Sequence, residues 1–178
     1  MKITVHEKKV ESADTLDSFD DALERALVGL QRAGGLDDLV EDDPEYEDEL
    51  QYRKSNVRDK LETLYEEMFD QLQRNGYVTI YRAIKAKDVD AIDKEYLGVC
   101  WTIYEDTADE FAATNNGGNF IIRAEAPIEA IDQERTWDAI GANDDEWEVN
   151  IEDTDLLKNI AITKRKHKDW EHPLWSKE

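Results

Sequence analysis

Cysteine is nearly absent from this chain of 178 residues, since Cys100 is the only one. A single cysteine excludes a disulfide within the chain and a cysteine-rich metal site, so we expect no bound metal. It also suits a reducing compartment. No apolar run approaches the roughly 18 residues that a membrane span requires, and residues 1–6 lack the apolar core of a signal peptide. We therefore expect a cytoplasmic protein that makes no membrane contact.

Basic residues are few, with 22 Lys and Arg against 44 Asp and Glu, which gives a formal net charge of −22. A surface of this sign repels phosphates, which disfavours direct binding to DNA or RNA. It suits a basic partner instead, such as a host protein that itself binds nucleic acid. Solubility, or adaptation to high salt, explains the same charge without any partner.

The segment 1–76 is predicted to be an acidic helical region. Apolar residues over 16–30 recur at steps of three and four, which is typical of one face of a helix. Residues 39–49 are dominated by Asp and Glu and are predicted to form a solvated linker or an acidic loop. A second helix is expected over 57–72 and its continuation, ending at Gly76, because glycine adopts the left-handed conformation that ends many helices.

The segment 77–178 has a different pattern, with short strands between short helices. Runs of β-branched and aromatic residues, or alternation, predict strands at 77–84, 97–103, 120–126, 146–151 and 159–163. Apolar spacing and turn signals predict short helices at 87–96 and 106–114, a turn or helix at 128–131, and a polar loop at 138–145.

Two stretches of this segment contain side chains suited to ligand binding. Arg82 follows Tyr81 within an apolar strand, and a guanidinium fork is suited to phosphate oxygens. Thr102 follows Trp101 at the start of a predicted helix, where a hydroxyl can hydrogen-bond a carboxylate and an indole can cover a flat ring. Taken singly, an arginine at a sheet edge and a tryptophan in the core explain these residues as well.

A third stretch contains Glu146 and Glu148, which share one face of a predicted strand because side chains alternate along it. Paired carboxylates of this kind are used in glycoside chemistry. A solvated edge strand in an acidic protein gives the same pattern.

The order of these stretches is more specific than any one of them. Together they resemble the ADP-ribosyltransferase family with the Arg-Ser-Glu type of motif, over about half of the chain, 77–163. The motifs concerned are Tyr81-Arg82, Gly98-x-x-Trp101-Thr102, Ala108-x-x-Phe111, the strand 119–127 and Glu146-x-Glu148-Val149. Thr102 is the only hydroxyl where the family has Ser-Thr-Ser, which implies a different nicotinamide pocket.

The resemblance implies an α+β fold with a split, mainly antiparallel sheet, NAD as co-substrate, and an acidic helical N-terminal half. Residues 77–178 would form the NAD-binding domain, and 1–76 would be a separate region or an integral part of the fold. The implied NAD-binding residues are Arg82, Tyr81, Trp101, Thr102 and Phe111. Glu148 is implied to be the catalytic glutamate, and Glu146 a second catalytic residue that orients the acceptor.

The implied function is mono-ADP-ribosyl transfer, in which the nicotinamide–ribose bond of NAD is cleaved and ADP-ribose moves to a protein acceptor. Small size and acidic charge suit a phage or mobile-element protein that acts on a host defence protein in the host cytoplasm, as an anti-CRISPR does. Two alternatives remain open. One is a non-enzymatic acidic protein that mimics DNA and inhibits a nucleic-acid-binding partner. The other is an NAD glycohydrolase toxin that uses water as acceptor.

Overall fold

The computed structural model describes residues 15–34, 36–41, 43–93, 97–113, 118–142 and 147–165. The helices in this part of the chain are α1 (Phe19–Arg32), α2 (Tyr46–Asn75), α3 (Glu105–Phe111) and α4 (Gln133–Ala142). The strands are β1 (Val78–Ile84), β2 (Cys100–Thr102), β3 (Phe120–Ala126), β4 (Glu148–Asn150) and β5 (Lys158–Lys164). The predicted α+β class is confirmed. No helix among these residues has the length and apolar character of a membrane span.

The strands form one antiparallel sheet in the order β4-β2-β1-β3-β5. Strands β1 and β3 pair along their whole length, from Val78 opposite Ala126 to Ile84 opposite Phe120. In contrast, β1 and β2 share a single registered pair, Tyr81 opposite Thr102. The pairing between neighbouring strands is therefore shortest between β1 and β2. This is where the short β4-β2 ladder joins the longer β1-β3-β5 ladder.

One face of the sheet and the helices α1, α2 and α4 bury their apolar side chains in a common core. Ile80 and Ile122 from the sheet are completely buried, as are Leu61 and Leu64 from α2 and Trp137 from α4. Alternation in the strands places one set of side chains in this core and leaves the other set for the opposite face. The acidic N-terminal helices thus share their core with the sheet.

Helix α2 begins earlier than the sequence indicates. The prediction of a solvated linker over 39–49 is wrong for residues 46–49, which form the first turn of α2. Their carboxylates are favourable there because the helix dipole is positive at its N-terminus. The predicted end is confirmed, since Gly76 has φ of 77° and its N–H donates to the Leu72 carbonyl at 2.8 Å.

Helix α4 is the largest error of the sequence analysis. The predicted polar loop at 138–145 is wrong for residues 138–142, which belong to α4, while 143–146 lie outside the described residues. Gly141 weakens the helix signal but allows close packing, because a Cβ there would lie 1.7 Å from the Ala26 carbonyl oxygen. Gly29 of α1 has the same role, because a Cβ there would lie 2.1 Å from the Asp138 carbonyl oxygen. The two helices therefore touch through their backbones.

Smaller differences concern the connections and strand ends. The helix predicted at 87–96 is a single 3-10 turn, Val89–Ala91, which Asp88 caps by accepting from the Ala91 N–H at 3.0 Å. Residues 94–96 lie outside the described part of the chain. A similar turn covers Ile128–Ala130, and β2 and β4 each contain only three residues.

Gly141→Ala should destabilise the protein, because the added methyl group would force α1 and α4 apart. We expect a loss of about 2–3 kcal/mol in the free energy of unfolding, despite the better helix propensity of alanine. Gly76→Ala is the matched control: it has open space around it and should lose only about 1 kcal/mol from its left-handed backbone. Urea unfolding measures both, and an unchanged stability of Gly141→Ala would contradict the packing described above.

Candidate functional site

A groove lies beside α3, on the sheet face opposite the helical core. Its cavity volume is about 120 Å³, which is below the range of about 300–1,000 Å³ that is usual for small-molecule sites, and the groove is open to solvent. The lining residues come from β1, β2, α3 and β4: Tyr81, Arg82, Ala83, Cys100, Trp101, Thr102, Thr107, Ala108, Phe111 and Glu148.

Six of the seven predicted site residues line this groove, namely Tyr81, Arg82, Trp101, Thr102, Phe111 and Glu148. The seventh, Glu146, lies outside the described residues. The strand register explains part of the convergence. Tyr81 is opposite Thr102, and Thr102 is opposite Glu148. Because directly paired residues project to the same face of a sheet, these three side chains form a row across it.

The Arg82 side chain is held at the edge of β2. Its Nη1 donates a hydrogen bond to the Cys100 carbonyl oxygen. The guanidinium lies over Gly98, where a Cβ would be 2.7 Å from Nη2. Gly98 also has φ of 78°, a left-handed conformation that favours glycine. Arg82 pairs with Ile122 of the main core, so strand alternation directs its side chain to the face opposite that of Tyr81 and Thr102. It borders the groove at the Cys100 edge of β2.

The Glu148 carboxylate is held by a residue of its own strand, β4. Its Oε1 accepts a hydrogen bond of 2.9 Å from Nδ2 of Asn150, two residues further along β4. The predicted support from Thr102 takes a different form. Thr102 lies beside Glu148 in the ladder, while its hydroxyl accepts from the Tyr104 N–H at 3.4 Å, where the chain enters α3. A partly buried carboxylate is thus fixed beside a hydroxyl-bearing residue.

Two aromatic rings face the groove with exposed surface, and a third does not. Phe111 is 37% exposed, and Tyr81 packs partly against the small cluster under α3. Trp101 was expected to cover a flat ring, but its side chain is only 2% exposed and lies in the main core. Its Nε1 donates to the Gly98 carbonyl at 2.9 Å, which helps to shape the Gly98 turn instead.

Helix α3 is held over the sheet by a small apolar cluster and a buried ion pair. Ala108 and Ala112 pack on Ala83 and Ile121 of the sheet. Asp109, on the same helix, accepts from Nε of Arg165, and the two side chains are 13% and 4% exposed. Because Arg165 follows β5, this pair ties one wall of the groove to the far end of the sheet.

The residue before Glu148 has an unusual backbone conformation. Trp147 has φ of 47°, a region that residues other than glycine occupy at a cost. Its ring packs edge-on against Tyr104, with centroids 5.7 Å apart. Burial, and then the negative charge of Glu67, raise the pKa of Tyr104 above its ordinary value. The contact joins the residue before β4 to the residue before α3, and both rings pack against the main core.

Sequence analysis missed two residues that hold the site, Gly98 and Asn150, as contributors in their own right. Gly98 is part of the quoted motif, but its role under Arg82 depends on a left-handed turn. Asn150 is separated from Glu148 by one residue, so strand alternation puts both on one face. That spacing is the signal that points to Asn150.

Comparisons with protein-family models, with curated proteins and with solved structures find no match to this chain. Within the described residues, no group of three or more His, Cys, Asp or Glu side chains is arranged to hold a metal ion.

Asp109→Ala should destabilise the fold strongly, because the Arg165 guanidinium would stay buried without this carboxylate. We expect a loss of about 3–5 kcal/mol, as for other broken buried ion pairs. The control is Arg25→Ala, which breaks the exposed pair with Glu134 and should cost about 1 kcal/mol or less. Equal losses in urea unfolding for the two variants would show that the buried pair does not anchor α3.

Stability should fall as the pH rises above about 10, where tyrosine ionises in the unfolded chain. The raised pKa values of Tyr104 and Tyr65, both caused first by burial, keep these phenols protonated in the native state. The native state then binds more protons than the unfolded state, so raising the pH favours unfolding. Tyr104→Phe should make urea midpoints between about pH 8 and pH 11 less dependent on pH; an unchanged slope would contradict this assignment.

Proposed function

We propose that this chain is an NAD-dependent mono-ADP-ribosyltransferase that modifies a protein acceptor. The observation on which this rests is the row of Tyr81, Thr102 and Glu148 on one face of the sheet, which lines a groove beside the exposed ring of Phe111. In the sequence these residues belong to separate motifs, which resemble the family only through their order. That these residues line one groove supports the proposal.

The groove residues fit the chemical groups of NAD. Arg82 offers guanidinium donors to a diphosphate, and Tyr81 and Phe111 offer ring surface to a flat base. The Glu148 carboxylate can accept from a ribose hydroxyl. The single pair between β1 and β2, which borders the groove, supports a split sheet of the ADP-ribosyltransferase kind. NAD is accordingly proposed as the co-substrate.

Bound NAD would supply a glycosidic bond whose cleavage leaves positive charge on the ribose. Glu148 is suited to stabilise that charge, since it is a carboxylate held in place by Asn150. A group fixed before the reaction stabilises developing charge without having to reorganise. Arg82, fixed by Cys100 and Gly98, would orient the phosphates, and Thr102 would flank the carboxylate.

The acceptor is proposed to be a basic protein, in keeping with a net charge of −22. An acidic surface attracts a basic partner over a distance and raises the rate of encounter. A host protein that binds nucleic acid has such a surface. We extend the proposal to a phage or mobile-element protein that acts in the host cytoplasm on a defence complex, as an anti-CRISPR does, with Glu146 orienting the acceptor side chain.

A second candidate function follows from the charge alone. An acidic protein can occupy a nucleic-acid-binding groove without any chemistry, as a mimic of DNA. The observation that favours it is the excess of acidic residues, 44 against 22. It differs from the first candidate in needing neither NAD nor Glu148.

Glu148→Gln should abolish most NAD turnover while keeping NAD binding. The amide has the same shape but no negative charge, so nicotinamide release should fall by about 10²–10³-fold. Arg82→Ala should weaken NAD binding instead. Glu152→Gln, an exposed glutamate just after β4, is the matched control and should keep full activity. Nicotinamide release and transfer from biotin-labelled NAD in a host-cell lysate measure these effects.

Each other outcome has a distinct meaning. Nicotinamide release without a labelled protein would identify an NAD glycohydrolase. Full inhibition of a nucleic-acid-binding target by Glu148→Gln in the absence of NAD would identify the acidic inhibitor. Failure of the wild-type protein to bind or consume NAD, with lysate present, would overturn the enzymatic proposal.

A further inference from the structure

The Asn150 side chain has a defined orientation against Glu148. Asn150 is 6% exposed, and its Nδ2 lies 2.9 Å from Oε1 of Glu148. Only the NH₂ end of the amide can donate to a carboxylate, since turning the amide would place two acceptors together. The other end is also engaged, because Oδ1 is 4.0 Å from Sγ of Cys100, which donates to it. The amide therefore lies between β2 and the carboxylate.

The backbone of Asn150 is fixed by the start of α4. Its N–H donates to Oγ1 of Thr136 at 3.0 Å, and its carbonyl accepts from the Asp132 N–H at 2.9 Å. Thr136 is completely buried and donates its own hydroxyl to the Asp132 carbonyl at 2.7 Å. The Asn150 backbone is thus held by hydrogen bonds to residues at the start of α4, which places the Cα from which its side chain projects.

We propose that Asn150 is a positioning residue, whose amide holds the Glu148 carboxylate in one orientation within the groove. A glutamate side chain has several rotatable bonds, and a partly exposed one samples several orientations unless it is held. A hydrogen bond to a charged acceptor is stronger than a neutral one, so it selects one of them. The catalytic consequence rests on the proposed function, whereas the contact itself does not.

The test of the catalytic consequence compares two asparagines that each donate to a glutamate. Asn150→Asp replaces the donor by a carboxylate facing Glu148 with almost no change of shape. Asn159 donates from Nδ2 to Glu125 on the same sheet, away from the groove, so Asn159→Asp is the matched control. We expect kcat for nicotinamide release to fall about 10- to 100-fold in Asn150→Asp, with the KM for NAD changed less than about threefold. Asn159→Asp should keep its kcat within about threefold.

A double-mutant cycle separates positioning from general destabilisation. Asn150→Ala should lower kcat in the wild-type background but have no further effect in Glu148→Ala, because the residue it positions is gone. Thermal unfolding of each variant reports on the fold. A kcat loss of equal size in both backgrounds, or equal losses in Asn150→Asp and Asn159→Asp, would overturn the proposal.

A measurement without NAD tests the contact by itself. In a ¹⁵N-labelled protein, the side-chain amide resonances of Asn150 should shift in Glu148→Ala and stay unchanged in Glu152→Gln. Unmoved resonances in Glu148→Ala would overturn the proposal even if the enzyme is active. If they shift but the wild-type protein consumes no NAD, the positioning contact stands and the proposed transferase function fails.

Discussion

The close contact between α1 and α4 is the constraint on which the rest of the site depends. Gly29 and Gly141 allow the helices to meet at backbone distance, which fixes α4 against the core. The start of α4 then holds both backbone groups of Asn150, and Asn150 holds the Glu148 carboxylate. A carboxylate in the groove is thus positioned through a helix that is itself placed by the N-terminal part of the chain. Helices α1 and α2, the described helices of the N-terminal half, thus share one core with the sheet.

The two faces of the sheet differ in the elements that cover them. One face is buried against α1, α2 and α4 and supplies most of the apolar burial that stabilises the fold. Within the described residues, the opposite face is only partly covered, because α3 spans just seven residues and is anchored by Asp109 and Arg165. The uncovered part beside α3 is the groove. The groove lies where a short helix covers the sheet and where β1 and β2 share only one registered pair.

Elements with strong periodicity could be predicted from the sequence, and those whose stability depends on partners could not. The apolar spacing of α1 and α2 and the β-branched runs of β1 and β3 predicted all four. Helix α4 was missed because Gly141 looks like a helix breaker until α1 is placed beside it. Most of the groove-lining residues could be predicted because the three motifs lie on β1, β2 and β4, which are neighbours in the sheet. The burial of Trp101 in the main core depends on strand register, and the roles of Gly98 and Asn150 depend on turn geometry and register. A single sequence defines neither.

Charge poses the remaining physical question, since a chain of net charge −22 is proposed to bind a diphosphate. Exposed charges more than about 8–10 Å apart are largely screened at physiological salt, so most surface carboxylates act weakly inside the groove. The proposed diphosphate contact relies on Arg82, whose guanidinium is fixed by the Cys100 carbonyl and by Gly98 at the edge of the groove. A fixed arginine loses little freedom when it grips a phosphate. The same carboxylates would still act together on a large basic protein, so the charge of this chain is compatible with both the proposed anionic co-substrate and the proposed cationic acceptor.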